Sequence, residues 1–160
     1  MRQRVYIETS VPSFYHEVRP EPEMVARRQW TREWWESCAE EYELVTSIPV
    51  LEELERGKHP AKKDALALVA DLPILPIEDP IEEIVDTYIQ RHVMPKDPRG
   101  DALHLALASY HRCQFLLTWN CEHLANANKR EHIRHVNTLL GLPVPILATP
   151  LELLDVVEED

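Results

Sequence analysis

The chain has 160 residues, enough for one domain with a sizeable core, and sets 17 Lys and Arg against 28 Asp and Glu for a formal net charge of −11. So acidic a surface repels phosphates at long range, which counts against a high-affinity DNA-binding module but not against a nuclease whose cations supply positive charge locally. Cys38, Cys113 and Cys121 show no paired spacing and read as reduced thiols in a cytoplasmic protein. A charge arrives too early at the start for a signal peptide, and no apolar run reaches membrane-spanning length.

In chain order, Val5-Tyr6-Ile7 predicts a first strand that delivers Glu8, Thr9 and Ser10 at its carboxyl end, and Pro12 fits the first turn of a helix. Over 24–42 the spacing Trp30, Trp34, Cys38, Tyr42 marks one face of a long amphipathic helix. Such stripes pack in cores or dimers more often than they stack on RNA. Leu44-Val45-Thr46 is a second strand, and Ser47-Ile48-Pro49 starts a helix with a capping residue and an early proline. That helix runs over 50–56 and stops at Gly57, where a left-handed cap is expected. Glu53 lies at the edge of its apolar face, whereas Glu52 points nearly opposite. Glu53 is therefore the better candidate to enter a site roofed by the core.

Helices are expected over 61–70 and 81–92, with an extended link over 72–77 and a loop over 94–100. Asp101 opens a helix that is apolar on nearly every side, which belongs in a covered interior position. Phe115-Leu116-Leu117-Thr118 reads as a fully buried strand. Where it stops, Trp119, Asn120, Glu122 and His123 crowd together, and ligands collect at the carboxyl ends of parallel strands in open α/β sheets. A helix follows over 129–140, then a last strand over 144–147, which Pro145 places at an edge. Thr149-Pro150 starts a terminal helical turn. Strands alternating with helices predict a three-layer α/β/α sandwich with a central, mostly parallel sheet, forming one domain over 1–155 with an acidic tail over 156–160.

Glu8, Glu53 and Asp101 then converge on one edge, beside Asn120. Hard cations such as Mg²⁺ and Mn²⁺ take oxygen ligands, and crowded unpaired carboxylates raise one another's pKa unless a metal neutralises them. The eight histidines form no zinc motif, and P-loop and dinucleotide fingerprints are absent.

At these residues the chain resembles the PIN-domain family, and within it the VapC-like ribonuclease toxins of toxin-antitoxin pairs. The family's first-strand Asp followed by Thr-Ser is matched by Glu8-Thr9-Ser10. Its Glu six residues after a Ser is matched by Ser47 and Glu53. Its D-A-x-x-x-A is matched by Asp101-Ala102-Leu103-His104-Leu105-Ala106, and its T-x-N by Thr118-Trp119-Asn120. Two places depart from the usual pattern. Glu8 is one methylene longer than Asp, and Asn120 is a neutral amide where many relatives carry further acid.

The resemblance implies a PIN-like sandwich and Mg²⁺- or Mn²⁺-dependent hydrolysis of RNA phosphodiester bonds. Glu8, Glu53 and Asp101 would be the metal ligands, Asn120 would join them in the catalytic set, and Ser10 and Thr118 would orient waters or phosphate. It further implies an RNA substrate, a cognate antitoxin that covers the acidic edge, and a homodimer for which the Trp30 face is the candidate surface. The alternatives are a degenerate PIN module that binds RNA or a protein without hydrolysis, and a metal-dependent phosphatase of small molecules. Single residues also have plainer readings. Asp101 suits a helix N-cap, Ser10 a cap of the next helix, and Asn120 its own turn. His104 either reaches the pocket or is a buried, hydrogen-bonded histidine, and His123 stands near the site in place of an acid. Lys96, Arg99, Arg112, Lys129 and Arg130 hold phosphates or are ordinary surface.

Overall fold

β1 (Arg4–Ile7), β2 (Glu43–Val45), β3 (Phe115–Leu117) and β4 (Ile146–Ala148) form one all-parallel sheet, ordered β2-β1-β3-β4, in the computed structural model, which describes residues 2–96 and 99–154. Val5, Tyr6, Ile7, Leu116 and Leu117 are fully buried, as in a parallel sheet covered by helices on both faces. Tyr6 stands level with Val45 on one side and Leu116 on the other. The chain leaves β1 toward β2 on one side and later returns to β3 on the other. The crevice beyond the carboxyl ends of β1 and β3 is therefore the topological switch point, where α/β sheets of this order bind ligands. β4 is an edge strand, and Pro145 precedes it, where its missing N–H leaves the ladder intact. The link over 72–77 adds a bridge beyond β2, with Thr46 opposite Ile74.

Among the described residues, seven α-helices complete the α/β sandwich. α1 (Ser10–Tyr15) packs against α2 (Pro22–Ser37) and α4 (Lys62–Val69). α5 (Asp79–Gln90) packs on α6 (Arg99–Tyr110), which is buried on nearly all sides, as its sequence requires. α6 begins before Asp101, so Asp101 lies inside the first turn and is not the N-cap. α7 (Arg130–Leu139) ends ahead of Gly141, which takes a left-handed φ of 71°.

Three local expectations change. α2 stops at Ser37; the chain then makes a 3-10 turn and Tyr42 folds back to stack on the fully buried Trp34, with ring centroids 5.9 Å apart. Trp30 is half-buried and stacks on Trp119, with ring centroids 6.1 Å apart, so this part of the aromatic stripe packs within the chain. In α3 (Ile48–Arg56), Ser47 holds the N-cap position without a side-chain cap bond, and Gly57 is extended at φ −66°, not left-handed. At the other end of the chain Thr149 and Glu152 exchange backbone-to-side-chain bonds of 3.1 and 3.2 Å, a reciprocal cap on the terminal turn. The tail over 156–160 lies outside the described residues. Among the described residues no helix is long and apolar enough to cross a membrane.

Cys38 and Cys113 are buried and Cys121 is exposed. Burial pushes the Cys113 thiol up to about 12, far from the thiolate form that reacts. In the native protein one thiol of the three is expected to react quickly with a disulfide reagent such as DTNB, and all of them in denaturant. Fast reaction of a second native thiol would contradict the packing around α2 and β3.

Candidate metal centre

Glu8 follows β1, and its N–H still bonds the Leu117 carbonyl at 3.2 Å, so the β1–β3 ladder fixes its backbone. The side chain is 6% exposed. Its Oε2 accepts the Ser10 N–H at 2.9 Å, the Thr118 hydroxyl at 2.9 Å and the Ser10 hydroxyl. Ser10 thus opens α1 by bonding Glu8, and Thr118 reaches Glu8 from the end of β3. Glu8 Oε1 takes none of these bonds.

Glu53 approaches the same crevice from α3. Its Oε2 accepts the Thr9 hydroxyl at 2.5 Å, and His104 Nε2 lies 2.9 and 3.1 Å from its two oxygens. On the far side of the imidazole, Nδ1 is 2.7 Å from the Tyr6 hydroxyl, itself 2.6 Å from the Ser47 hydroxyl. Tyr6, Ser47 and His104 are all buried, and each polar atom of the relay has a partner. Burial pushes the His104 imidazole down, but the hydrogen bond and charge of Glu53, reinforced by Glu8 and Asp101, raise it overall. Burial alone would raise Glu53, yet His104 and the Thr9 hydroxyl hold it below the ordinary carboxylate value. A Cβ on Gly100 would come 2.6 Å from Glu53 Oε1, so the first turn of α6 presses its bare backbone against this carboxylate.

Asp101, also 6% exposed, accepts one bond from Asn120 Nδ2 at 3.1 Å on Oδ1. Its Oδ2 is buried with no hydrogen-bond partner among the described residues. Burial and then the charge of Glu8 raise its pKa, against the smaller opposing pulls of His123 and His104. Asn120 does two things at once. Its Oδ1 accepts the N–H groups of His123 and Glu122 at 3.0 and 3.3 Å, stabilising its own turn, while its amide reaches Asp101.

Glu8, Glu53 and His104 can each offer a ligand atom, and those atoms lie within 4.8 Å of one another. Asp101 stands beside that triplet, on the wall of a cleft of about 500 Å³ that it shares with Glu53. An oxygen-rich set with a buried, unpartnered carboxylate oxygen fits a hard divalent cation, and the acidic group is compatible with metal binding. His104 Nε2 is already committed to Glu53, so its place is behind that carboxylate.

Sequence reasoning missed Tyr6 and Gly100, and read Ser47 as a helix cap. It also passed over Arg56, although Arg56 sits one turn from Glu53 on the same helix face. Of the five cations considered as phosphate holders, Arg99 alone lines the cleft. Arg112 precedes β3, at the amino end of the sheet, and Lys129 bonds the Val93 carbonyl at 3.1 Å.

The sequence profile of the PIN domain family matches residues 5–129, a span that includes Glu8, Glu53, Asp101 and Asn120. No curated protein matches the chain.

A carboxyl group whose pKa rises on folding destabilises the fold above that pKa, and the cost fades as pH falls through the raised value. The metal-free protein therefore carries this cost at neutral pH. Asp101→Asn keeps the acceptor for Asn120 and removes the charge. In EDTA at pH 7 its Tm is expected to exceed that of the wild type by about 2–4 °C for each kcal/mol relieved. The gain should shrink as pH falls toward the ordinary aspartate value of 3.8. A variant that melts below the wild type under those conditions would contradict the unpartnered Oδ2.

Proposed function

Because the chain belongs to the PIN domain family, we propose that it is a divalent-metal-dependent endoribonuclease, VapC-like, and the toxin of a toxin-antitoxin pair. The observation that carries this reading is Asp101 Oδ2, buried and unpartnered beside Glu8 and Glu53 at the sheet's switch point. Glu8, Glu53 and Asp101 would hold Mg²⁺ or Mn²⁺. Such an ion, when bound, supplies a lowered water pKa and offsets charge on the phosphate.

The chain's own residues prepare that site. Ser10 and Thr118 fix Glu8 Oε2 and give no bond to Oε1, the oxygen that would then be left for an ion. Thr9 and His104 fix Glu53, and Tyr6 and Ser47 fix His104. Asn120 holds Asp101 Oδ1 and so presents Oδ2. Partners of this kind orient metal-binding carboxylates before the ion arrives. Catalytic roles for Glu8, Glu53, Asp101 and Asn120 follow from the same placement. The proposal includes an RNA substrate, an antitoxin that covers the acidic edge and a second copy of the chain. Free thiols at Cys38, Cys113 and Cys121 accord with a cytoplasmic setting.

The test uses purified protein, single-stranded RNA and Mn²⁺. Cleavage is expected, stopped by EDTA, with Glu53→Gln and Asp101→Asn each lowering kcat about 100-fold or more, the scale of losing a preorganised electrostatic group. Unchanged turnover in either variant would defeat the site. Mn²⁺ binding without cleavage would instead favour a binding module, and hydrolysis confined to a phosphomonoester would favour a phosphatase. His104→Ala retains all three carboxylates, yet Mn²⁺ affinity measured by titration calorimetry is expected to fall about 10- to 100-fold. Unaltered affinity would remove His104 from the site.

A further inference from the structure

The turn that leaves β3 does more than carry Asn120. Its backbone N–H groups at Trp119 and Asn120 donate to the Ser10 and Thr118 hydroxyls at 2.8 and 2.9 Å. A hydroxyl has one proton to give, and a lone pair engaged by an N–H turns that proton toward another acceptor. For both hydroxyls the acceptor is Glu8 Oε2. Two successive N–H groups thus aim two hydroxyls at one carboxylate oxygen, and hydrogen bonds linked in this way strengthen one another where water is excluded.

The position of that turn is set from α2. Trp119 is 6% exposed, and its ring N–H donates to the Thr31 hydroxyl at 2.8 Å. Thr31 is fully buried and donates in turn to the Arg27 carbonyl at 2.6 Å. Trp30 stacks on one side of the indole, the Phe14 ring stands 6.0 Å away, and the Arg27 guanidinium lies 5.2 Å from the indole centroid. Packing alone needs only the apolar contacts; the bond to Thr31 also fixes the rotation of the ring. The motif Thr118-Trp119-Asn120 leaves its middle place open to any residue, and in this chain that place carries the tie to α2. We propose that Trp119 is a positioning residue for Glu8. Anchored to Thr31, it holds the turn whose N–H groups direct Ser10 and Thr118 onto Oε2, a role that rests on the metal-site reading above.

Thr31→Val keeps the volume and removes the acceptor for the indole N–H; Trp119→Phe keeps a ring in the stack and removes the donor. In each, Mn²⁺ affinity measured by titration calorimetry is expected to fall about tenfold, the lower end for a partner outside the ligands themselves. Thr31→Ser loses a buried methyl and should lower Tm, yet it keeps the hydroxyl, so Mn²⁺ affinity should stay at the wild-type value. A residue present for packing alone would show the opposite order. Tyr88→Phe removes a buried hydroxyl bonded to Asn137 at 2.5 Å and is expected to lower Tm with affinity unchanged. In the metal-free protein the Ser10 amide resonance reports the bond to Glu8 Oε2. It should shift in Thr31→Val and stay in place in Tyr88→Phe. If the wild type binds Mn²⁺ but Thr31→Val and Trp119→Phe bind it equally well, the positioning role is overturned and the metal site stands. The same follows if Thr31→Ser loses as much affinity as Thr31→Val, or if the Ser10 amide does not move in Thr31→Val. A wild type that binds no Mn²⁺ overturns the metal-site reading and the positioning role with it.

Discussion

Like charges crowd the crevice at the carboxyl ends of β1 and β3, and the fold is arranged to keep them there. Glu8, Glu53 and Asp101 repel one another, so each is tied down from a different element. Ser10 and Thr118 hold Glu8 across the β1–β3 pair, Thr9 and His104 join Glu53 to α1 and α6, and Asn120 ties Asp101 to the turn after β3. These ties are also tertiary contacts among the elements that surround the switch point. The arrangement resists its own electrostatics, as expected where a site is built at the expense of local stability.

The buried relay from Ser47 through Tyr6 to His104 explains why so much polarity is tolerated in the core. Each hydroxyl and each ring nitrogen in it has a partner, so no desolvated group is left exposed to the low-dielectric interior. Burial holds the Tyr6 phenol well above its ordinary pKa, which keeps it a neutral partner for the imidazole. The relay runs from the start of α3 through the centre of β1 to α6, and it ends on the carboxylate that faces the cleft. Asp101 Oδ2 lies outside this relay: it is one of five buried side-chain polar atoms without a partner among the described residues, and the single carboxylate oxygen among them.

Much of this was legible in the sequence because the signals were local. Alternating strands and helices, the all-apolar run after Asp101 and Pro145 in the last expected strand located the sheet, the central helix and the edge, although the strand itself begins only after Pro145. Glu8 and Asn120 stood just past strand ends, Asp101 in the first turn of a helix and Glu53 at the edge of a helix's apolar face, where short motifs are readable. Ser10 and Thr118 were readable as supporting residues beside these motifs, but the buried relay was not, because its partners are distant in sequence: Tyr6 meets Ser47 across 41 residues and His104 across 98. Ser47 looked like a cap because its position is one, but its hydroxyl is drawn to Tyr6 instead of to the α3 backbone. Helical periodicity also ran on past Ser37. The 3-10 turn after it brings Tyr42 back onto Trp34, so the spacing persists while the helix does not.

The most direct measurement is anomalous diffraction at the manganese edge from crystals soaked in Mn²⁺. A peak in the crevice within about 2.0–2.6 Å of oxygens from Glu8, Glu53 and Asp101, the range for hard divalent ions on carboxylates, is the result this account requires. A crevice without a peak, in crystals whose Glu53 and Asp101 side chains occupy the positions described, would contradict it.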